Sequence, residues 1–110
     1  MFGKEDALYV PTGTMSNIVS TMVMTKTQAC SFIIGDLSHY ANYERGGMAT
    51  VVGAFPICLP NEPDGTIAIS RIERALSVVK DNHISTIAGM SLESSHNMCN
   101  GRVLHPEYIS

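Results

Sequence analysis

The sequence predicts an α/β domain, a mostly parallel sheet flanked by helices, and three observations lead there. First, short apolar runs such as Ser31-Phe32-Ile33-Ile34-Gly35 and Thr86-Ile87-Ala88-Gly89-Met90-Ser91-Leu92 do not alternate with polar residues, as expected of strands buried on both faces. Second, segments between such runs carry apolar residues at helical spacing, and strands alternating with helices build a parallel sheet. Third, polar clusters stand directly after predicted strands: Thr12-Gly13-Thr14, Asp36 to His39, and Glu93 to Asn97. In a parallel sheet all three fall on the carboxyl edge, where such folds gather ligand groups.

In chain order, Ala7-Leu8-Tyr9-Val10 is an apolar run stopped by Pro11 and reads as a strand. A helix follows, because Met15, Ile18, Val19, Met22 and Val23 recur at helical spacing. Thr12 or Thr14 caps it by accepting from a free N–H of the first turn. Residues 31–35 are the next strand. Asp36 to Tyr40 leads into a short helix or loop that ends at Gly46-Gly47. Thr50-Val51-Val52-Gly53 and Phe55-Pro56-Ile57-Cys58-Leu59 are strand-like, and Asn61 to Gly65 is a turn by composition. Ser70 followed by Glu73 matches a capping box, and Ile69, Ile72, Leu76 and Val79 give the helix its apolar face. Residues 86–92 are a buried strand, and Glu93 to Arg102 is polar and loop-like.

Composition removes several function classes. At 110 residues the chain is one domain or part of one, and 45% hydrophobic with 15% charged residues is globular. Seven basic against ten acidic residues leave a net charge of −3 with no basic run, so no duplex-binding footprint exists. Tryptophan is absent and 6% of residues are aromatic, which argues against a stacking platform for single strands. These features predict no nucleic-acid partner. No apolar stretch approaches the ~20 residues of a membrane span, and Met1 to Asp6 has neither a signal-peptide nor a transit-peptide layout. The three cysteines form no C-x-x-C pair, so a zinc ribbon and a disulfide framework are both disfavoured and a reducing compartment fits. Cys99 stands three residues from His96 but reads as a bystander thiol, and the seven methionines read as core filler.

The clusters have definite chemistry. Thr12-Gly13-Thr14 opens a helix, whose unpaired N–H groups and partial positive charge suit a phosphate; an ordinary N-cap is the competing reading. His39, at a strand end, suits a base, a metal ligand, a flat stacking partner or a plain loop histidine. Glu44 and Arg45 read as a solvated helix face. Glu93-Ser94-Ser95-His96-Asn97 gathers acid, hydroxyl, imidazole and amide. Glu93 and His96 are too close in sequence for a protease-like relay, and a His/His/Glu zinc site would have to borrow His39, so no metal is predicted. His83 and His105 read as surface residues.

These residues resemble a known family. Phe2 to Val10 with Pro11-Thr12-Gly13-Thr14-Met15-Ser16-Asn17 resembles the "FGKE…PSGTMGN" stretch of threonine aldolases. Gly35-Asp36-Leu37-Ser38-His39 with Tyr43-Glu44-Arg45-Gly46-Gly47 resembles "GDxSHixxYExGG". Leu92 to Asn97, running on to Gly101-Arg102-Val103-Leu104, resembles "LENTHNxxGGxVL". Three ordered motifs cover essentially the whole chain.

The resemblance implies a pyridoxal 5'-phosphate (PLP) lyase with the aspartate-aminotransferase-like fold, fold type I, and residues 1–110 as part of its PLP-binding large domain. It implies retro-aldol cleavage of L-threonine or L-allo-threonine, a β-hydroxy amino acid, to glycine and acetaldehyde. Gly13 and Thr14 would hold the cofactor phosphate and His39 would lie against the pyridine ring. His96 would sit near the substrate hydroxyl as a base, directly or through a water. Glu93 and Asn97 would shape that loop. A homotetramer and a cytoplasmic location are implied for the full-length protein, with a mitochondrial one left open. Departures are Ser16 and Ser95 at mildly variable positions and Asn100 in place of a glycine. The family's Schiff-base lysine, its aspartate for the pyridine nitrogen and its N-terminal substrate segment match nothing here, so an inactive internal fragment is expected. A different PLP-dependent β-eliminating lyase and a non-catalytic α/β binding module are the alternatives.

Overall fold

The computed structural model describes residues 3–25, 29–78 and 83–110. Among them, three parallel strands form one sheet in the order β2-β1-β3, where β1 is Ser31–Gly35, β2 is Phe55–Leu59 and β3 is Ile87–Ser91. The central strand β1 pairs in parallel with both neighbours and is buried from end to end. That position explains its composition, since a strand covered on both faces has no use for alternation.

The helices are α1 (Gly13–Met24), α2 (His39–Asn42), α3 (Ile69–Ser77) and α4 (Pro106–Ile109). The core gathers Cys30, Phe32, Ile34, Tyr40, Met48 and Ala54, with Ile18 of α1 and Ala88 of β3 packed on it. Gly89 allows close packing on β3: a Cβ there would stand 2.7 Å from the Phe32 ring and 2.8 Å from Met24 Cε. The β1–β3 register shifts between Ser31 and Phe32, just before this contact. No described helix is long and apolar enough to cross a membrane.

The chain leaves β1 through α2, enters β2 on one side, and then crosses by α3 to β3 on the other side. A crevice opens beyond the carboxyl ends of β1 and β3. The clusters Asp36–His39 and Glu93–Asn97 both leave from that edge, as the parallel order requires.

Three local expectations are corrected. Residues 7–10 are not a strand: Leu8 is 74% exposed and Tyr9 fully so, and no described strand runs beside them to supply ladder bonds. Residues 50–53 are not a strand either. Met48–Val52 is a single π-helical turn, with Thr50 bonded back to Gly46 through both its N–H and its hydroxyl, and with Met48 and Val52 turned to the core. Burial there overrides the β preference of two valines. The capping box at Ser70 does not form, because the N-cap falls two residues earlier, at Ala68, with no side-chain cap bond. Ile69 and Leu76 on the α3 face stay about half exposed, and Val79 lies outside the described residues.

Candidate functional site

Thr12 caps α1. It is extended (φ −145°, ψ 154°), and its Oγ1 accepts from the Met15 N–H at 3.1 Å. The N–H groups of Gly13 and Thr14 keep no acceptor within the helix and carry the positive end of its dipole.

At the end of β1, Ser38 Oγ donates to Gly35 O at 2.7 Å and accepts from the Ala41 N–H at 3.2 Å, which turns the chain sharply into α2. His39 is thereby the first residue of α2. Its N–H donates to Glu93 Oε2 at 2.5 Å. Glu93 Oε1 accepts from the Asn97 N–H at 2.8 Å, so one carboxylate ties the loop after β3 to the turn after β1.

The His39 ring is half exposed and its Nδ1 lies 2.9 Å from Glu44 Oε1. The same oxygen accepts from Asn17 Nδ2 at 2.7 Å. Tyr43 stands beside the His39 ring with centroids 5.2 Å apart. Tyr40 Oη pairs with Thr21 Oγ1 at 3.0 Å. Burial pushes the Tyr40 phenol above its usual value; the Thr21 bond works against that shift and the Glu44 charge adds to it.

These groups enclose one open cavity of about 400 Å³. Its walls are Gly13, Thr14 and Asn17 of α1, residues 38–40 with Glu44, and Ser91, Leu92 and Glu93 at the end of β3. An array of helix N–H groups and a flat imidazole on one set of walls suit a small ligand with an anionic group and a planar ring.

The structure brings together Gly13, Thr14, His39 and Glu93 and leaves two expected residues out. His96 does not line the cavity. Its side chain is buried at 1% exposure and packs on Gly65, and neither ring nitrogen has a partner. The reason is local. His96 forms an antiparallel bridge with Arg102, donating its N–H to the Arg102 carbonyl at 2.8 Å, and this folds the loop back on itself. The expectation that Thr14, His39 and His96 face one cleft is therefore corrected for His96. Asn97 is exposed and joins the site through its backbone alone.

Glu44 is also corrected: it is buried on the cavity wall rather than part of a solvated face. Nothing in the polar run Tyr43-Glu44-Arg45-Gly46 announces that burial. Asn17 had a signal, since it lies one turn beyond Gly13-Thr14 on the same helix face. Among the described residues no three His, Cys, Asp or Glu side chains are grouped to hold a metal ion, and the three cysteines are free.

Comparison with known proteins matches this sequence to a family. The sequence model of the beta-eliminating lyases matches residues 1–110. The chain is 41% identical over 108 residues to a probable low-specificity L-threonine aldolase 2 of Arabidopsis thaliana, covering 97% of this chain and 30% of that protein. It is 39% identical over 109 residues to the low-specificity L-threonine aldolase 1 of the same plant, covering 98% of this chain and 30% of the relative. It is 32% identical over 108 residues to the low specificity L-threonine aldolase of Escherichia coli (strain K12), covering 97% of this chain and 31% of that protein. The chain thus spans about a third of the length of these relatives. Matched from its first residue to its last, and folded as the parallel sheet that its motifs imply, the chain belongs to the beta-eliminating lyase family.

Proposed function

We propose that the cavity holds pyridoxal 5'-phosphate and that residues 1–110 form part of the PLP-binding large domain of a threonine aldolase-like lyase. The observation that carries this is the meeting of the α1 N-terminus and the His39 ring on one cavity wall. The residues fit the cofactor. Gly13 lines the cavity, and a Cβ there would meet nothing within 4 Å, so a phosphate has room to approach the backbone. The N–H groups of Gly13 and Thr14 supply donors, and helix termini of this kind bind phosphate. The His39 ring offers a flat face for a pyridine ring, and the Glu44 bond holds its angle. A cavity of about 400 Å³ takes the cofactor with space for a small amino acid.

When bound, the cofactor supplies the electron sink that lets the Cα–Cβ bond of a β-hydroxy amino acid break, giving glycine and acetaldehyde from threonine. The residues of this chain bind and orient. Gly13 and Thr14 hold the phosphate, His39 fixes the ring plane, and Glu93 locks the two strand-end loops that frame the substrate side. Asn97 shapes that loop through its N–H bond to Glu93. We assign no proton step to His96, whose ring faces Gly65. Family resemblance further supports a homotetramer for the whole protein and, with three free cysteines, a cytoplasmic location. The net charge of −3 goes with a small-molecule partner rather than a nucleic acid.

Amide NMR of the chain titrated with PLP tests the proposal. Saturable shifts at Gly13, Thr14 and His39 are expected. Shifts confined to other residues, or none, would overturn it.

A further inference from the structure

The Glu44 side chain has no exposed surface, yet it lines the cavity. Its Oε1 takes two hydrogen bonds, from Asn17 and from His39, while its Oε2 has no partner. A buried carboxylate costs free energy unless its surroundings compensate it. Half of this one is left uncompensated, so packing stability does not account for it. The group it holds is a half-exposed imidazole. Without a partner, such a ring samples two orientations and two tautomers.

We propose that Glu44 is a positioning residue for His39: by accepting the Nδ1 proton it fixes both the plane of the ring and its Nδ1–H tautomer. A hydrogen bond at one imidazole nitrogen decides what the other nitrogen does. Here it leaves Nε2 as the lone-pair nitrogen. Asn17 orients the carboxylate from α1, and Glu93 anchors the His39 backbone from the loop after β3. Three separate chain segments thus converge on one residue, with Glu44 alone of the three bonded to its ring. This inference rests on the reading of His39 as the residue against the pyridine ring, because stacking needs a ring held at one angle.

Side-chain NMR of the chain labelled with ¹⁵N-histidine tests this without any cofactor, in mildly alkaline buffer. Long-range ¹H–¹⁵N correlations report which ring nitrogen carries the proton, and His39→Gln assigns the signal. The wild type is expected as the Nδ1–H tautomer. Glu44→Gln should keep it, since the amide oxygen still accepts both bonds and the amide nitrogen replaces an oxygen with no partner. Glu44→Met, which fills the same space without an acceptor, should revert to the Nε2–H form that predominates in free histidine. A wild-type ring in the Nε2–H form, or an Nδ1–H form that survives in Glu44→Met, would overturn the proposal. The wild-type spectrum decides by itself if Glu44→Met does not fold. A cavity that fails to bind PLP refutes the proposed function and leaves the tautomer result standing, so the two failures are distinguishable.

Discussion

Thr14 and Tyr40 show how single side chains divide the labour around the cavity. Thr14 lies at the open start of α1 and is not its cap, because Thr12 fills that place. Its hydroxyl is therefore free for a ligand. Thr14→Val keeps the shape and removes the hydroxyl, and PLP binding should weaken by ~1–3 kcal/mol, the range for a lost hydrogen bond to a charged group. A titration that shows unchanged affinity would reduce Thr14 to a helix residue. Tyr40 belongs to both the core and the cavity wall. Its phenol is raised above the usual 10.0, first by burial, with the Thr21 bond opposing and the Glu44 charge adding. The folded state therefore keeps a proton that the unfolded chain releases above pH 10.0. Unfolding then releases a proton, and stability falls as pH rises from that point through the folded value. Denaturant midpoints measured on the alkaline side should drop with pH, and Tyr40→Phe should flatten that slope.

At the scale of elements, β3 and α3 carry opposite liabilities. Gly89 of β3 has no side chain, and the Phe32 ring and Met24 pack into the space a Cβ would take. Gly89→Ala would push a methyl into the Phe32 ring, itself 2% exposed and unable to move aside. The expected cost is ~1–3 kcal/mol, as for other overpacked cores, read as a lower urea midpoint at constant slope. α3 is under-capped. Ala68 at the N-cap has a non-helical backbone (φ −55°, ψ 127°) and no side-chain oxygen to offer. Ala68→Ser should stabilise the chain by ~1 kcal/mol, the usual worth of a cap, in the same urea experiment. No gain would mean that the first turn of α3 is already satisfied by solvent.

At the scale of the molecule, the carboxyl edge of the sheet gathers the groups proposed to hold the cofactor, and the question is whether a lysine joins them. Among the described residues no lysine lines the cavity. Lys4 is exposed before α1, and Lys26 and Lys80 lie outside the described residues. Because a Schiff-base lysine needs desolvation or a cationic neighbour to react at neutral pH, a solvated one is a poor substitute. The chain mixed with PLP and L-threonine should therefore release no acetaldehyde above the rate of free cofactor. Borohydride-trapped adducts, read by mass, should scatter over several amines. Stoichiometric labelling of one lysine together with steady acetaldehyde release would contradict this.

What the sequence by itself determined is whatever depends on neighbours along the chain. The apolar periodicity of residues 15–23 specifies α1, and unbroken apolar runs specify β1 and β3, because local burial patterns need no knowledge of distant segments. The parallel order followed from strands alternating with helices, and with it the shared edge of the clusters at His39 and Glu93. Tertiary structure decided the rest. Residues 7–10 have the composition of a strand, but a strand exists only beside another, and none is described there. Residues 50–52 have β-branched side chains, but the core takes Met48 and Val52 from a helical turn. Glu44 looks solvated in sequence and is buried because Asn17, 27 residues earlier, and His39 close over it. His96 looks like a cleft residue and is turned inward by its bridge to Arg102. Apart from the His96 bridge, which closes within its own loop, each of these outcomes is set by a contact between segments far apart in sequence or by competition for the same buried volume, and local pattern carries no record of either.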